Sequence, residues 1–220
     1  MRFLKITMYV FLFVFFIVLN SYTESISRHK SKLYVDDKTE FRTHVYLYVY
    51  GDDDKPCIDG NYYVKVLDGD TLIVLSKTLK MRIRFKFVDT PESFTNTNKF
   101  THDLKACKVS KKELIESGNQ AKEMTLTLLK NSEYIKINIL SKDPYDRYLS
   151  IIKFSLNGKE KNLNEYLVSH GFAVPFYRYI KHNSKIYEKY YKYEKEASSN
   201  NYGLWFNHRA LMACYSDIDR

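Results

Sequence analysis

Cysteine is scarce in this chain, with three residues among 220: Cys57, Cys107 and Cys214. They lie far apart, and none forms the C-x-x-C pair that is typical of structural zinc sites. The six histidines do not cluster with them either, so the sequence argues against a zinc site. An odd number of cysteines in a secreted protein permits at most one internal disulfide and leaves a free thiol.

Long hydrophobic runs are also lacking, apart from one at the N-terminus. Arg2 and Lys5 precede an apolar run of 14 residues (6 to 19), and polar residues follow it. A membrane-spanning helix needs about 20 such residues, whereas this order is typical of a secretory signal peptide. We therefore expect residues 1–25 to be a signal peptide and the protein to be secreted. The alternatives are an uncleaved membrane anchor and, since residues 27–32 are basic, delivery to an organelle.

Acidic residues are outnumbered, because 26 Asp and Glu face 35 Lys and Arg, and the pI is about 9.2. A basic surface attracts polyanions, of which nucleic acid is the commonest. The chain is 45% hydrophobic, which is too apolar for a disordered protein. Its length predicts one domain with extensions. We place this domain at residues 59–208, between a tether or targeting extension at 26–58 and a C-terminal tail at 209–220.

Alternating apolar and polar residues predict five strands inside this domain. They cover Tyr62–Val66, Leu72–Leu75, Met81–Phe87, Ile135–Ile139 and Tyr148–Phe154. Helical periodicity predicts three helices, which begin near Ser117, Asn162 and Ser184. Five strands with a helix between the third and fourth are typical of a Greek-key OB barrel. The predicted fold is therefore α+β, mainly β: a five-stranded OB-fold barrel with three helices.

Two other expectations concern the parts of the domain around the third strand. The alternation of this strand directs Arg84 away from the core and onto the solvent side of the sheet. Residues 93–118 are expected to form an irregular loop, and one apolar stretch upstream, Val45–Tyr50, offers an optional edge strand.

Charged residues at the predicted strand ends point to phosphodiester chemistry. Asp70 begins the second strand and Asp89 ends the third, so their carboxylates can converge at one end of the barrel. Two carboxylates with a backbone carbonyl and waters suit Ca²⁺. Glu92 can orient or deprotonate an attacking water, and Arg84 and Arg147 can hold phosphate oxygens bidentately. Together these groups are typical of metal-dependent hydrolysis of a phosphodiester.

The segments that carry these residues resemble the staphylococcal nuclease (thermonuclease) family. The shared segments are VLDGDT (66–71), RFKFVDTPE (84–92), YDR (145–147), NEYLVSHGFA (164–173) and GLW (203–205). The resemblance implies a Ca²⁺-dependent endonuclease that acts on DNA and RNA and leaves 5′-hydroxyl and 3′-phosphate ends. It implies Asp70, Asp89 and the Thr90 backbone carbonyl as the calcium ligands.

Further roles are implied by the same resemblance. Glu92 matches the general base of the family, and Arg84 and Arg147 match its catalytic arginines. Three tyrosines match nucleotide contacts: Tyr145, Tyr177 and Tyr179. The chain departs from the family at Asp146, where glycine is frequent, which puts a carboxylate beside Arg147. It also departs in the loop 93–118, whose lysines either meet nucleic acid or are simply solvated.

The alternative to an enzyme is a non-catalytic OB-fold module that binds nucleic acid or a protein partner. Relatives that only bind tend to lose acidic or arginine positions. This chain has all five of these residues, Asp70, Asp89, Glu92, Arg84 and Arg147. We therefore expect a nuclease with DNA and RNA as substrates, acting as a monomer and meeting a membrane only if residues 6–19 remain as an anchor.

Overall fold

The structure is a computed structural model and describes residues 39–49 and 56–218. The expected signal peptide, residues 1–25, lies outside these residues, as does the apolar run at 6–19, so both stay predictions. Within the described ranges, no helix has the length and apolar character needed to span a membrane.

A closed β-barrel forms the centre of the fold. The strands in the described ranges are β1 (Glu40–Val49), β2 (Ile58–Asp68), β3 (Thr71–Leu75), β4 (Lys80–Phe85), β5 (Val88–Asp89), β6 (Tyr134–Lys142), β7 (Tyr148–Leu156), β8 (Lys159–Asn162) and β9 (Val174–Pro175). The main sheet runs β4-β3-β2-β1-β6-β7-β8, and β4 also pairs with β7, so six strands close on themselves. The pairs β1–β6 and β4–β7 are parallel. β5 and β9 form a separate two-stranded sheet.

Helices cover the outside of this barrel. They are α1 (Asn98–Cys107), α2 (Lys111–Lys130), α3 (Leu163–Ser169), α4 (Lys185–Ser199), α5 (Leu204–Asn207) and α6 (Arg209–Ile218), with a 3₁₀ turn at Tyr177–Tyr179. Four of them begin at a side-chain N-cap, where a hydroxyl or amide oxygen accepts from the backbone N–H three residues on. These caps are Thr97, Ser110, Asn162 and Ser184.

The predicted class, α+β with an OB-type barrel, is confirmed, but the barrel has six strands where the sequence predicted five. The additional strand is β1, which inserts between β2 and β6. Phe41, Val45 and Leu47 are buried in the core. The side chains that alternate with the buried ones are more exposed, namely Arg42, His44 and Tyr46. The predicted domain start at residue 59 was thus too late. The sequence offered Val45–Tyr50 only as an optional edge strand, but β1 begins at Glu40 and is internal to the sheet. The acidic segment followed by Pro56 that separates it from β2 is typical of a linker and favoured the later domain start.

The predicted helices were also too few, because six lie in the described residues. Residues 93–118 contain α1 and the start of α2, so the expectation of an irregular loop was wrong there. α2 begins after Ser110 instead of near Ser117. Ser117 is a buried residue within the helix, and its hydroxyl donates to the Leu114 carbonyl at 2.9 Å. The predicted tail from residue 209 forms α6 as far as Ile218.

A second apolar cluster holds α1, α2, α5 and α6 together beside the barrel. Its buried members are Phe100, Leu114, Ala121, Val174, Ala197, Leu204, Trp205, Leu211, Met212 and Tyr215. A disulfide between Cys107 and Cys214 joins the end of α1 to α6, and Cys57 is an exposed free thiol. One bridge and one free thiol are within what the odd cysteine count permits, and the sequence left the pairing open.

Candidate active site

Asp70, Arg84 and Asp89 form a buried cluster at one end of the barrel. The register of β3 and β4 pairs Thr71 with Arg84, which puts Asp70 beside the guanidinium. Arg84 Nη1 is in ion-pair contact with Asp70 Oδ2, and Nη2 lies 2.5 Å from Asp89 Oδ1. The two carboxylates therefore converge as predicted, with a guanidinium between them.

The burial of this cluster corrects the expectation for Arg84. Its exposed fraction is 7%, against 5% for Asp70 and 2% for Asp89, so it does not lie on the solvent side of the sheet. After β4 the chain turns through Phe87, whose φ of 70° is in the left-handed region. The turn brings Asp89 back against the Arg84 side chain. Strand alternation describes a side chain's direction, but it does not say what the next segment places over it.

Asp70 is held by hydrogen bonds as well as by charge. The Thr90 backbone N–H and hydroxyl each donate to Asp70 Oδ2 at 2.9 Å, and the Thr71 hydroxyl donates to Oδ1 at 3.0 Å. Burial alone would raise the pKa of Asp70. The effect of burial is outweighed by the charges of Arg84 and Lys99 and by the hydrogen bonds from these hydroxyls. Together they hold the pKa of Asp70 below its ordinary value.

Glu92 lies at the edge of the cluster and is mostly buried. Its Oε2 accepts a hydrogen bond of 3.1 Å from the Thr97 hydroxyl at the start of α1. Burial raises the pKa of Glu92 above its ordinary value, with the charges of Asp70 and Asp89 adding to the effect. A carboxylate with a raised pKa is a better proton acceptor, which suits the predicted role.

Gly69 and Gly118 allow close approach around these carboxylates. A Cβ on Gly69 would lie 2.8 Å from both Ala121 and the Thr90 side chain. A Cβ on Gly118 would lie 2.5 Å from the Glu92 backbone carbonyl. Helix α2 therefore packs directly on the backbone that carries Glu92, and only glycine leaves room for this contact.

Arg147 lies in the turn that enters β7 and pairs with a different carboxylate from Arg84. Its Nε donates to Asp143 Oδ2 at 2.7 Å, and its backbone N–H donates to Oδ1 at 3.0 Å. Asp146, which the sequence placed as a competitor beside Arg147, is in ion-pair contact with Lys142. It has a φ of 64°, a conformation that glycine adopts without cost. Asp143, and not Asp146, is the carboxylate that engages Arg147.

A cleft of about 430 Å³ opens beside Asp89. Its walls are formed by Asp89, Asn98, Lys99, His102, Asp103, Tyr145, Phe176, Arg178, Tyr215 and Ile218. Tyr145 is 75% exposed here, and the Arg147 guanidinium lies 5.5 Å from its ring centroid. Arg147 is thus at the rim of the cleft that reaches Asp89.

The three predicted nucleotide-contacting tyrosines are not equivalent. Tyr145 lines the cleft, and Tyr179 is exposed next to it, with its ring 4.7 Å from that of Phe176. Tyr177 is buried, and its hydroxyl donates to Glu194 at 2.7 Å. Residues two apart in a 3₁₀ turn point to different sides, so Tyr177 packs in the fold while Tyr179 faces solvent. The structure does not support a substrate contact for Tyr177.

Comparison with known proteins identifies the family of this chain. The sequence model of the family described as staphylococcal nuclease homologue matches residues 82–207, which is more than half of the chain. The chain belongs to this family. The matched range includes Arg84, Asp89, Glu92 and Arg147, and it begins after Asp70.

Three curated proteins are similar in sequence to this chain. An uncharacterized protein of Methanocaldococcus jannaschii is 33% identical over 153 residues, which are 66% of this chain and 72% of that protein. An endonuclease of Bacillus subtilis, YhcR, is 28% identical over 71% of this chain, but the match covers only 12% of that longer protein. A micrococcal nuclease of Shigella flexneri is 27% identical over 64% of this chain and 71% of its own length.

Lys99 was grouped by sequence with the lysines of 93–118 that either meet nucleic acid or are solvated, but the structure pairs it with the carboxylates of this site. Its Nζ lies 3.0 Å from Asp89 Oδ2, 3.3 Å from the Thr90 carbonyl oxygen and 3.6 Å from Glu92 Oε1. Burial would lower the pKa of Lys99, but Asp89 and the other groups around the ammonium raise it well above its ordinary value. The sequence did contain a signal, because Lys99 and Asp103 are spaced i, i+4 after a capping threonine, but residues 93–118 were not assigned to a helix.

Asp68 is a member of this site that sequence reasoning missed. It is buried at the end of β2, and its carboxylate accepts from the Gly69 backbone N–H at 3.0 Å. Burial raises the pKa of Asp68 well above its ordinary value, and the charges of Asp70 and Glu92 raise it further. In the sequence, Asp68-Gly69 is a common turn pair, so the pattern alone gives Asp68 no role beyond the turn.

The oxygen atoms at this site fit a hard divalent cation. Asp70, Asp89 and the Thr90 carbonyl converge, and hard cations such as Ca²⁺ prefer carboxylate and carbonyl oxygens. Carboxylates outnumber cations. Those in contact with Arg84 or Lys99 are Asp70, Asp89, Glu92 and Asp103, and Asp68 adds a charge close to Asp70 and Glu92. Within residues 39–49 and 56–218 no set of three or more Asp, Glu, His or Cys side chains is arranged as a metal cage. The fit is therefore to two carboxylates, one carbonyl and water.

Proposed function

We propose that this chain is a metal-dependent endonuclease that hydrolyses phosphodiester bonds of DNA and RNA, with Ca²⁺ as its cofactor. The observation that carries the proposal is the buried Asp70–Arg84–Asp89 cluster, which meets a cleft at Asp89. Membership of the nuclease homologue family supports it, as do relatives named an endonuclease and a micrococcal nuclease. The basic pI of about 9.2 favours a polyanionic substrate.

The cleft has groups that suit a polynucleotide backbone and its bases. Tyr145 offers an exposed ring for stacking, and Arg178 offers a cation on the same wall. Arg147 uses Nε to bind Asp143, so we assign its terminal amino groups to the phosphate. The pairing with Asp143 orients the guanidinium before substrate arrives, which reduces the entropy lost on binding.

In the proposed reaction, water attacks phosphorus and the bond to the 5′ oxygen breaks, leaving a 5′-hydroxyl and a 3′-phosphate. Asp70, Asp89 and the Thr90 carbonyl would hold the calcium ion, which supplies electrophilic stabilisation of the phosphate when it is bound. Glu92 takes the proton of the attacking water. Arg84 and Arg147 stabilise the charge that develops on the phosphoryl oxygens.

The test is cleavage of end-labelled DNA and RNA by the purified protein with Ca²⁺, with Mg²⁺ or with a chelator. We expect cleavage with Ca²⁺ and none with the chelator. The products should carry 3′-phosphate groups that a 3′-phosphatase removes. The non-catalytic alternative predicts that labelled nucleic acid shifts in a gel but stays intact under all three conditions. Secretion and a monomeric state remain predictions from sequence, and size-exclusion chromatography of the same preparation tests the second.

A further inference from the structure

The Lys99 ammonium engages the same oxygen atoms that the proposed metal would need. Asp89 Oδ2 lies 3.0 Å from Nζ, which is a normal hydrogen-bond distance for an ammonium group. The Thr90 carbonyl oxygen lies slightly farther away, at 3.3 Å. Calcium binds such oxygens at about 2.3–2.6 Å. A cation sharing these oxygens with Nζ would be close to a like charge in a buried, low-dielectric place, where repulsion is strong.

A second group of acceptors lies on the other side of the same ammonium. Asp103 Oδ2 is 2.9 Å from Nζ, and the Tyr215 hydroxyl is 3.3 Å away, with its ring centroid at 4.5 Å. The Tyr215 hydroxyl also donates to Asp103. These groups lie on α1 and α6, which the Cys107–Cys214 disulfide joins. The ammonium can therefore leave Asp89 and Thr90 and still be paired.

We propose that Lys99 is a built-in competitor of the divalent cation. Its ammonium binds Asp89 and the Thr90 carbonyl when metal is absent, and it withdraws toward Asp103 and Tyr215 when metal binds. Lys99 thereby lowers the affinity of the site for metal and restricts the nuclease to surroundings rich in the cation. This inference depends on the proposed metal site of the preceding section.

Isothermal titration of Ca²⁺ into the full-length protein and two variants tests the proposal. We expect Lys99→Met to bind Ca²⁺ at least tenfold more tightly than the unmodified protein. Lys105→Met is the matched control, because Lys105 is exposed on the same helix and the charge change is identical. It should bind as the unmodified protein does. An unchanged or weaker affinity for Lys99→Met would overturn the inference.

Two further results separate the possible failures. If neither the unmodified protein nor Lys99→Met binds Ca²⁺ at millimolar concentrations, the metal site itself is wrong, and the proposed function with it. Should Lys99→Met fail to fold by circular dichroism, a crystal structure of the unmodified protein with Ca²⁺ decides. We expect Nζ to have left Asp89 and Thr90 but to remain near Asp103. An ammonium still bonded to Asp89 beside a bound Ca²⁺ would contradict the proposal.

Discussion

At the scale of single residues, the site depends on charges that are buried and paired. Arg84 bridges two carboxylates and is almost inaccessible, whereas Arg147 pairs with Asp143 near the surface. Removing one partner of a buried pair leaves an uncompensated charge, which costs far more than losing a surface pair. The two arginines therefore have similar proposed roles in catalysis but very different roles in stability.

We expect Arg84→Ala to lower the free energy of unfolding by about 3–5 kcal/mol, and Arg147→Ala to lower it by about 1 kcal/mol or less. Urea denaturation followed by circular dichroism measures both. Both variants should lose cleavage activity where enough folded protein remains. Equal losses of stability would show that Arg84 is not the buried bridge described here.

Glu92 is the residue whose substitution tests the proposed proton transfer. Glu92→Gln keeps the shape and the acceptor for Thr97 but removes the basic group, so we expect kcat to fall by about 10²–10⁴. KM should change little, because the side chain is assigned to the water and not to the nucleic acid. Steady-state cleavage kinetics measure both constants. Turnover equal to that of the parent would remove Glu92 from the mechanism.

At the scale of elements, the position of Glu92 is set by helix α2. This helix contacts the backbone of Glu92 and Ser93 through Gly118, and the Thr125 hydroxyl donates to the Gly69 carbonyl at 2.6 Å. One helix thus supports both the hairpin turn that leads to Asp70 and the segment that carries the proposed base. Packing of this kind transmits small displacements, because protein interiors are close-packed.

Gly118→Ala is expected to destabilise the protein by about 1–3 kcal/mol, since the added methyl overpacks the contact. The substitution should also reduce cleavage, because the added methyl group would displace the backbone of Glu92, the proposed base. Thermal unfolding and the cleavage assay measure these effects. Asn119→Ala, at an exposed position of the same helix, is the control and should leave both unchanged. If Gly118→Ala behaves like the control, α2 does not set the position of Glu92.

At the scale of the whole molecule, a disulfide joins two helices that line the cleft. Cys107 and Cys214 are separated by 107 residues, and the bridge joins the two helices that carry Lys99, Asp103 and Tyr215. Cross-linking a long loop restricts the unfolded chain. The bridge therefore stabilises the fold and keeps α6 against the site.

Replacing both bridged cysteines by alanine should lower the free energy of unfolding by about 2–5 kcal/mol. Urea denaturation of the double variant measures the loss. Cys57→Ala, at the exposed free thiol, is the control and is expected to have no effect. A double variant as stable as this control would mean that α6 is held by its apolar contacts alone.

Local pattern and motif order were enough to predict the OB-type barrel and the approach of Asp70 and Asp89 to each other, whereas the catalytic and metal-binding roles stay predictions. Asp70 and Arg84 lie on a hairpin and its next strand, where paired residues are neighbours in space, and Asp89 follows Arg84 by five residues, after the turn at Phe87. The strands from β2 onward follow the same alternation. Burial of Arg84 and Tyr177, in contrast, depends on the segments that pack over them, and no periodicity within a strand or turn contains this information.

The sequence by itself determined the chemical groups of the site, because each motif carries them in one order on adjacent strands. Only the tertiary structure placed β1 inside the barrel, brought Lys99 of α1 to Asp89 and brought Tyr215 of α6 to Lys99. These contacts join residues far apart along the chain, and they form because α1, α2, α5 and α6 bury one shared apolar cluster against each other. Such a contact is decided by packing, which no local pattern of residues records.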